Sequence, residues 1–226
     1  MKRALLSTLL FVTLGLANAQ AQAQDAKSAG AGAGSAAAGE KKASMCIGCH
    51  GIKGYQATFP EIHKVPMISG QGGKYIVSAL AAYKKGERKH PTMRAIAGSL
   101  TDQDMADLAA FYEKRGAEGG ALPATASAPD ADVAKLLAKG ACDSCHGKNF
   151  SAPIDPSYPK LAGQFADYLF VALKAYKTEG NAHVGRGNAI MAGQAKQFSN
   201  AEMRQLAAYI ASLPSELHTV KEPYFR

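Results

Sequence analysis

Apolar positions recur along this chain at helical spacing, in two parallel series. Between Lys74 and Lys85, Tyr75, Ile76, Ala79, Leu80 and Tyr83 fall on one helical face, and Tyr168, Leu169, Ala172, Leu173 and Tyr176 repeat that face later. A second stripe, Met105, Leu108, Ala109 and Tyr112, returns as Met203, Leu206, Ala207 and Ile210. Thr101 with Asp104 and Ser199 with Glu202 stand ahead of these stripes at capping-box spacing, and Gly116 and Pro214 are their natural stops. Ahead of the second series, Asp130 or Asp132 is placed to cap a helix carrying Val133, Leu136 and Leu137. The matching positions of the first series, Ala37, Glu40 and Lys41, lack an apolar stripe, so its opening helix is expected to be the less stable one. Strand-like alternation is absent, and the pattern predicts an all-α protein.

The repetition extends beyond the helices. Pro66-Met67-Ile68-Ser69-Gly70-Gln71 matches Pro159-Lys160-Leu161-Ala162-Gly163-Gln164 at a shift of 93, the Tyr83-Lys84 and Tyr176-Lys177 pairs keep that shift, and Met93 matches Met191 at a shift of 98. The change of shift puts the insertion in a loop, and the whole reads as a tandem duplication. Between the copies, residues 116–129 carry Gly119-Gly120, Pro123 and Pro129 and read as a linker. Lys2 and Arg3, an apolar run from Ala4 to Leu16 and Ala17-Asn18-Ala19 read as a secretory signal over residues 1–19, cleaved near Ala19 and Gln20. Its apolar run is too short to span a bilayer comfortably. Residues 20–39, rich in Ala, Gly, Gln and Ser, form a low-complexity leader that turns helical near Ala36. The expected order is therefore signal, leader, domain 1 (40–115), linker, and domain 2 (130–226). The expected compartment is the periplasm.

Charge changes this picture little. The 226 residues carry a formal +8, and loss of Lys2 and Arg3 with the signal leaves 24 basic against 18 acidic side chains. No aromatic-basic interleaving points to nucleic acid. The Lys84, Lys85, Arg88, Lys89 and Arg94 run is either a solvated face or a surface that steers an acidic partner.

Cysteine usage is more decisive. All four cysteines lie in Cys46-Ile47-Gly48-Cys49-His50 and Cys142-Asp143-Ser144-Cys145-His146, 96 residues apart. On a helix, each Cys pair and its His share one face, so a single flat ligand meets all three. C-x-x-C-H is the attachment pattern of c-type haem, in which two thiols bond the porphyrin and the histidine ligates its iron. Two disulfides would leave a histidine after each pair unexplained, a dithiol redox site wants a βαβ setting, and a zinc site would need pairs far outside finger spacings. Two covalently bound haem c groups are expected, and the thin cores of 80–95-residue domains would depend on them.

What fills the sixth iron position separates an electron carrier from a gas binder or a catalyst. Met93 and Met191, each in a polar, Gly-rich loop just before a last helix, are the candidates that the duplication preserves. Met67 faces Lys160 in the repeat, Met105 and Met203 sit on core stripes, and Met45 is too near Cys46 to reach the opposite haem face. His63, His90 and His183 are bis-His candidates, but none has a histidine counterpart in the other copy. The carbonyls of Pro66 and Pro159 either close loop turns or accept the second ring N–H of His50 and His146.

Together, the paired C-x-x-C-H-G motifs, the P-x-[IL]-x-G-Q segments, the Tyr-Lys helix ends and the late methionines resemble the cytochrome c4 family over roughly residues 36–214. The resemblance implies two tandem class I cytochrome c domains, each a few helices around one covalent haem. It implies His50 and Met93 on the first iron, His146 and Met191 on the second, and Pro66 and Pro159 supporting the histidines. The expected function is a respiratory electron carrier without catalytic residues, exchanging electrons with a membrane cytochrome complex, a terminal oxidase or a reductase. Peripheral membrane association is left open. The competing readings are a peroxidase-like haem enzyme with one labile iron, and a dedicated electron-transfer subunit of a dehydrogenase or reductase.

Overall fold

A computed structural model describes residues 32–119 and 127–220. The signal, most of the leader and the middle of the linker lie outside the described residues.

In the first copy, α1 (Ala36–Lys42) leads into α2 (Ser44–His50), which holds the first Cys-His motif. A short hairpin of β1 (Gln56–Ala57) and β2 (His63–Lys64) follows, then α3 (Gly73–Lys85), β3 (Arg88–Lys89), α4 (Pro91–Gly98) and α5 (Asp102–Lys114). The second copy runs α6 (Ala131–Gly140), α7 (Asp143–His146), α8 (Ala166–Lys177), β4 (Gly185–Arg186), α9 (Ala189–Lys196) and α10 (Asn200–Ser212). A 3₁₀ turn, Arg115–Gly119, closes the first copy after α5.

Both predicted capping boxes form. Thr101 and Asp104 open α5, Ser199 and Glu202 open α10, and each side chain bonds the other residue's backbone N–H. Aspartate serves where glutamate is usual because it too reaches the cap N–H, at 2.9 Å. Asp130, rather than Asp132, caps α6, accepting the Asp132 and Val133 N–H groups.

Each copy owns a core. In the first, Ala43, Ile76, Leu100, Met105, Leu108 and Phe111 cluster around α5. In the second, Leu136, Phe150, Leu169, Phe198, Met203 and Leu206 cluster around α10. Two separate apolar clusters with similar helix order make two domains of one design. Met105 and Met203 are fully buried in them, as their places on the apolar stripes predict.

The opening helix of domain 1 is held differently from its counterpart. Lacking an apolar stripe, α1 lies so close to α5 that a Cβ on Gly39 would sit 2.1 Å from the Asp107 carbonyl oxygen. Asp107, itself buried, accepts the Ser35 N–H at 2.9 Å and pairs with Lys42 at 2.7 Å.

The domains meet through reciprocal contacts, the sign of an approximate two-fold relation. Strand β3 pairs antiparallel with β4, Arg88 opposite Arg186. Beneath that pair, the Arg88 guanidinium donates to the Tyr75 and Tyr168 hydroxyls at 3.0 and 3.3 Å, and Arg186 donates to Tyr168 at 3.1 Å. Lys64 with Asp167 and Lys174 with Glu61 bridge the rim. The chain then returns from domain 2 to domain 1, where the His218 N–H donates to the Ser69 carbonyl at 3.2 Å.

Candidate functional site

Helix α2 carries Cys46, Cys49 and His50 on one face, as the spacing requires. In domain 2 the chain makes one turn less. Ala141, at φ 42°, breaks α6 from the motif, and Cys142 caps the single turn that ends at His146. All four thiols are free and half-buried. Burial pushes the Cys46 and Cys142 thiols up from the ordinary value, so they are held as neutral thiols rather than reactive thiolates. Among the described residues no three His, Cys, Asp or Glu side chains converge to hold a metal ion.

Each motif histidine is locked by the same bond. The His50 Nδ1 donates to the Pro66 carbonyl at 2.8 Å, and the His146 Nδ1 to the Pro159 carbonyl at 3.2 Å. With the proton held on Nδ1, Nε2 keeps its lone pair for a metal. Burial lowers both imidazole pKa values, which keeps that lone pair available at neutral pH.

Met93 and Met191 lie on short helices, not in the loops that their polar surroundings suggested. Each is the third residue of its helix: Met93 in α4, Met191 in α9. The reason is local: His90 and Asn188 are N-caps that accept the Met93 and Met191 N–H groups at 3.4 and 2.9 Å, and Pro91 starts α4 with its fixed φ. Both side chains are partly exposed, unlike the core methionines.

The other histidines have different surroundings. His63 is buried at the domain interface, bonded to the Glu61 carbonyl and stacked on Tyr168 at 6.3 Å. His90 spends its Nδ1 on the α4 cap, and His183 is exposed.

The run from Lys84 to Arg94 is not one charged surface. Lys84, Lys85 and Arg94 are exposed, but Arg88 stacks over Tyr83 at 4.7 Å and Tyr75 at 5.8 Å inside the interface, and Lys89 donates to the Asn181 carbonyl of domain 2. Arg186 stacks likewise over Tyr176 and Tyr168. Burial by itself would raise the Tyr168 phenol, but the two guanidiniums it bonds bring it down to about 8. Period-3.6 spacing puts Tyr75, Tyr83, Tyr168 and Tyr176 on the two repeated helical faces. Their pairing with the two arginines lay outside any local signal.

These residues fit a covalent haem in each domain. The thiols are unpaired and neighbours on one face, both imidazoles present Nε2, and a thioether follows on a capped helix. The Arg88 Nε is buried with no hydrogen-bond partner, and among the described residues neither Arg88 nor Arg186 forms an ion pair. Two half-buried guanidiniums without a carboxylate suit an anion, and haem propionates are anions of that kind.

Comparison with known proteins bears on the same residues. The cytochrome c family model matches twice, over residues 36–114 and 131–214. Cytochrome c4 of Stutzerimonas stutzeri is 33% identical over 193 residues, covering 78% of this chain and 88% of the relative. A thiosulfate dehydrogenase electron acceptor of Thiomonas intermedia is 27% identical over 185 residues, covering 79% and 82%. The crystal structure of reduced recombinant cytochrome c4 from Pseudomonas stutzeri superposes with a TM-score of 0.60 at 30% identity, covering 80% of this chain and all of that one.

Proposed function

The chain belongs to the cytochrome c family, as a dihaem member of the cytochrome c4 type built from two class I domains, and from that premise we propose how its residues carry electrons. It binds two covalent haem c groups and is an electron carrier. In our reading Cys46 and Cys49 hold the first haem and Cys142 and Cys145 the second. His50 and Met93 would ligate the iron of one haem, His146 and Met191 that of the other.

When bound, haem c supplies a one-electron ferric/ferrous couple. The protein's part is to set its potential and protect it. Pro66 and Pro159 hold the imidazole rings in one orientation and one tautomer. Thioether ligation by Met93 and Met191 would favour the ferrous state, raise the potential and leave no open position for substrate. Arg88 and Arg186, held between the tyrosines, keep positive charge where the domains meet. Such charge would offset haem propionates and favour the reduced state of a nearby centre.

The observation that carries this reading is the duplicated geometry: each domain has a Cys-x-x-Cys-His face, an Nδ1-to-proline bond and a helix-borne methionine. We infer export to the periplasm, with cleavage near Ala19. Among the described residues no helix is long and apolar enough to cross a membrane. Resemblance to the Thiomonas electron acceptor favours one particular donor, a thiosulfate-oxidising dehydrogenase. The residue boundaries 40–115 and 130–226 remain our assignment for the two domains.

A redox titration of the holoprotein followed by absorption tests the ligation. Two covalent haems, both low-spin, with the methionine-sulfur charge-transfer band in the ferric state, are expected. Any other number of haems, or a band missing from both, overturns it.

A further inference from the structure

Two buried glutamines stand at equivalent positions, Gln71 and Gln164, 4% and 3% exposed. Each grips the backbone of the other domain. The Gln164 Oε1 accepts the Met67 N–H at 3.0 Å while its Nε2 donates to the Met67 carbonyl at 2.9 Å. Gln71 does the same to Lys160, at 2.8 and 2.9 Å. Each Oε1 also accepts the N–H of the residue following its own glutamine, Gly72 at 3.0 Å and Phe165 at 3.1 Å. Two N–H donors converging on one amide atom require that atom to be the oxygen.

The place that is gripped matters. The Met67 N–H belongs to the same peptide unit as the Pro66 carbonyl, which holds His50, and the Lys160 N–H shares a peptide unit with the Pro159 carbonyl, which holds His146. An unbroken hydrogen-bonded chain therefore runs from the His50 Nδ1 through one peptide group to Gln164 in the opposite domain, and from His146 to Gln71.

We propose that Gln71 and Gln164 are positioning residues that tune the axial histidine of the opposite domain's haem. This rests on the axial role read above for His50 and His146. A peptide whose N–H is bonded carries more negative charge on its carbonyl oxygen, because hydrogen bonds in series polarise one another. The stronger carbonyl draws the Nδ1 proton, makes Nε2 a better donor to iron and favours the ferric state. Electronic control of each centre thus passes through the other domain. The same bonds make the potentials depend on the domains being docked.

A merely adhesive role for the glutamines predicts that both haems respond alike, or neither. The test is an NMR-monitored redox titration of the holoprotein, with the haem methyl resonances assigned to their domains. Gln164→Leu is expected to raise the potential of the first haem and leave the second unchanged, and Gln71→Leu to do the reverse. Gln164→Glu keeps the acceptor oxygen and adds negative charge to it, so the first haem should fall below the parent potential and exchange of the His50 Nδ1 proton should slow. In the reduced protein, exchange of the His50 Nδ1 proton should quicken in Gln164→Leu and not in Gln71→Leu.

Equal shifts at both haems, a shift confined to the mutated residue's own domain, or no shift in either variant would overturn the proposal. If the leucine variants do not fold, the glutamate variant and its proton-exchange rate decide the matter alone: an unchanged first haem with unchanged exchange rejects the relay. A parent protein lacking low-spin His/Met spectra would instead strike the ligation beneath it.

Discussion

As proposed ligands, Met93 and Met191 show how the reach of a side chain is set by backbone chemistry. A methionine side chain is flexible, and at a loop position it would sample many rotamers. Fixing its backbone N–H to a cap side chain at the third helical residue narrows that range before any iron is met. Replacing Met93 with Ala removes one thioether and leaves its cap in place. The reduced variant is expected to bind carbon monoxide at one of its two haems, where the parent binds none, with the first haem's potential falling. Unchanged spectra on adding the gas would place the ligand elsewhere. The cysteines, histidines and methionines of the proposed sites stand out in the chain because the duplication repeats them, and the expected bonds from His50 and His146 to the proline carbonyls are present. The helical setting of the methionines was written there too, in Pro91 and Asn188, but polar composition around them masked it. The glutamines were visible only as a repeated motif: their partners lie 97 and 89 residues away in the other domain, beyond any local pattern.

At the scale of the element, α1 shows that a helix without an apolar stripe can still be docked. It substitutes close backbone approach for side-chain burial, and Gly39 is the residue that permits the approach. Gly39→Ala drives a methyl group into the Asp107 carbonyl and is expected to cost about 2 kcal/mol by overpacking, although alanine is the better helix former. Chemical denaturation of the holoprotein measures it. A stability equal to or above the parent would show that α1 docks elsewhere. The ionic part of the dock is separable by pH. The Lys42 ammonium, the Ser35 N–H and the Gln103 amide pull the Asp107 carboxyl down to about 2 from an ordinary 3.8. A depressed folded-state pKa stabilises above the unfolded value, so this contribution is complete above about pH 4 and is lost as the pH falls toward 2. Thermal melts should show the parent losing more stability than Asp107→Asn over that window, and parallel losses would exclude Asp107 as a contributor. Sequence reasoning identified the missing stripe correctly. It could not supply the replacement, because a glycine's value depends on what lies opposite it.

For the whole molecule, the division of the basic run between interior and surface decides how charge can serve electron transfer. The chain presents Lys84, Lys85, Arg88, Lys89 and Arg94 as one cluster, yet docking of the domains withdraws Arg88 into the tyrosines and ties Lys89 to Asn181. Lys84 in turn donates to the Leu100 carbonyl, and what remains for a partner is Lys85 and Arg94. Reversing Arg88 would therefore place a carboxylate inside the interface and report on docking, not on steering. The informative variant is Lys85→Glu with Arg94→Glu, both on exposed positions. If this face guides an acidic partner, the second-order rate of electron exchange should fall roughly tenfold at low ionic strength, since encounter is accelerated by complementary potential. The parent and variant rates should then converge near 1 M salt, where the screening length shrinks to about 3 Å. Stopped-flow oxidation of the reduced holoprotein by an acidic redox protein, across a salt series, measures both limits. Equal rates at low salt would make Lys85 and Arg94 a solvated face. A deficit that persists at high salt would mean that the substitutions altered the haem or the docked geometry, which the potentials of the two centres would reveal directly.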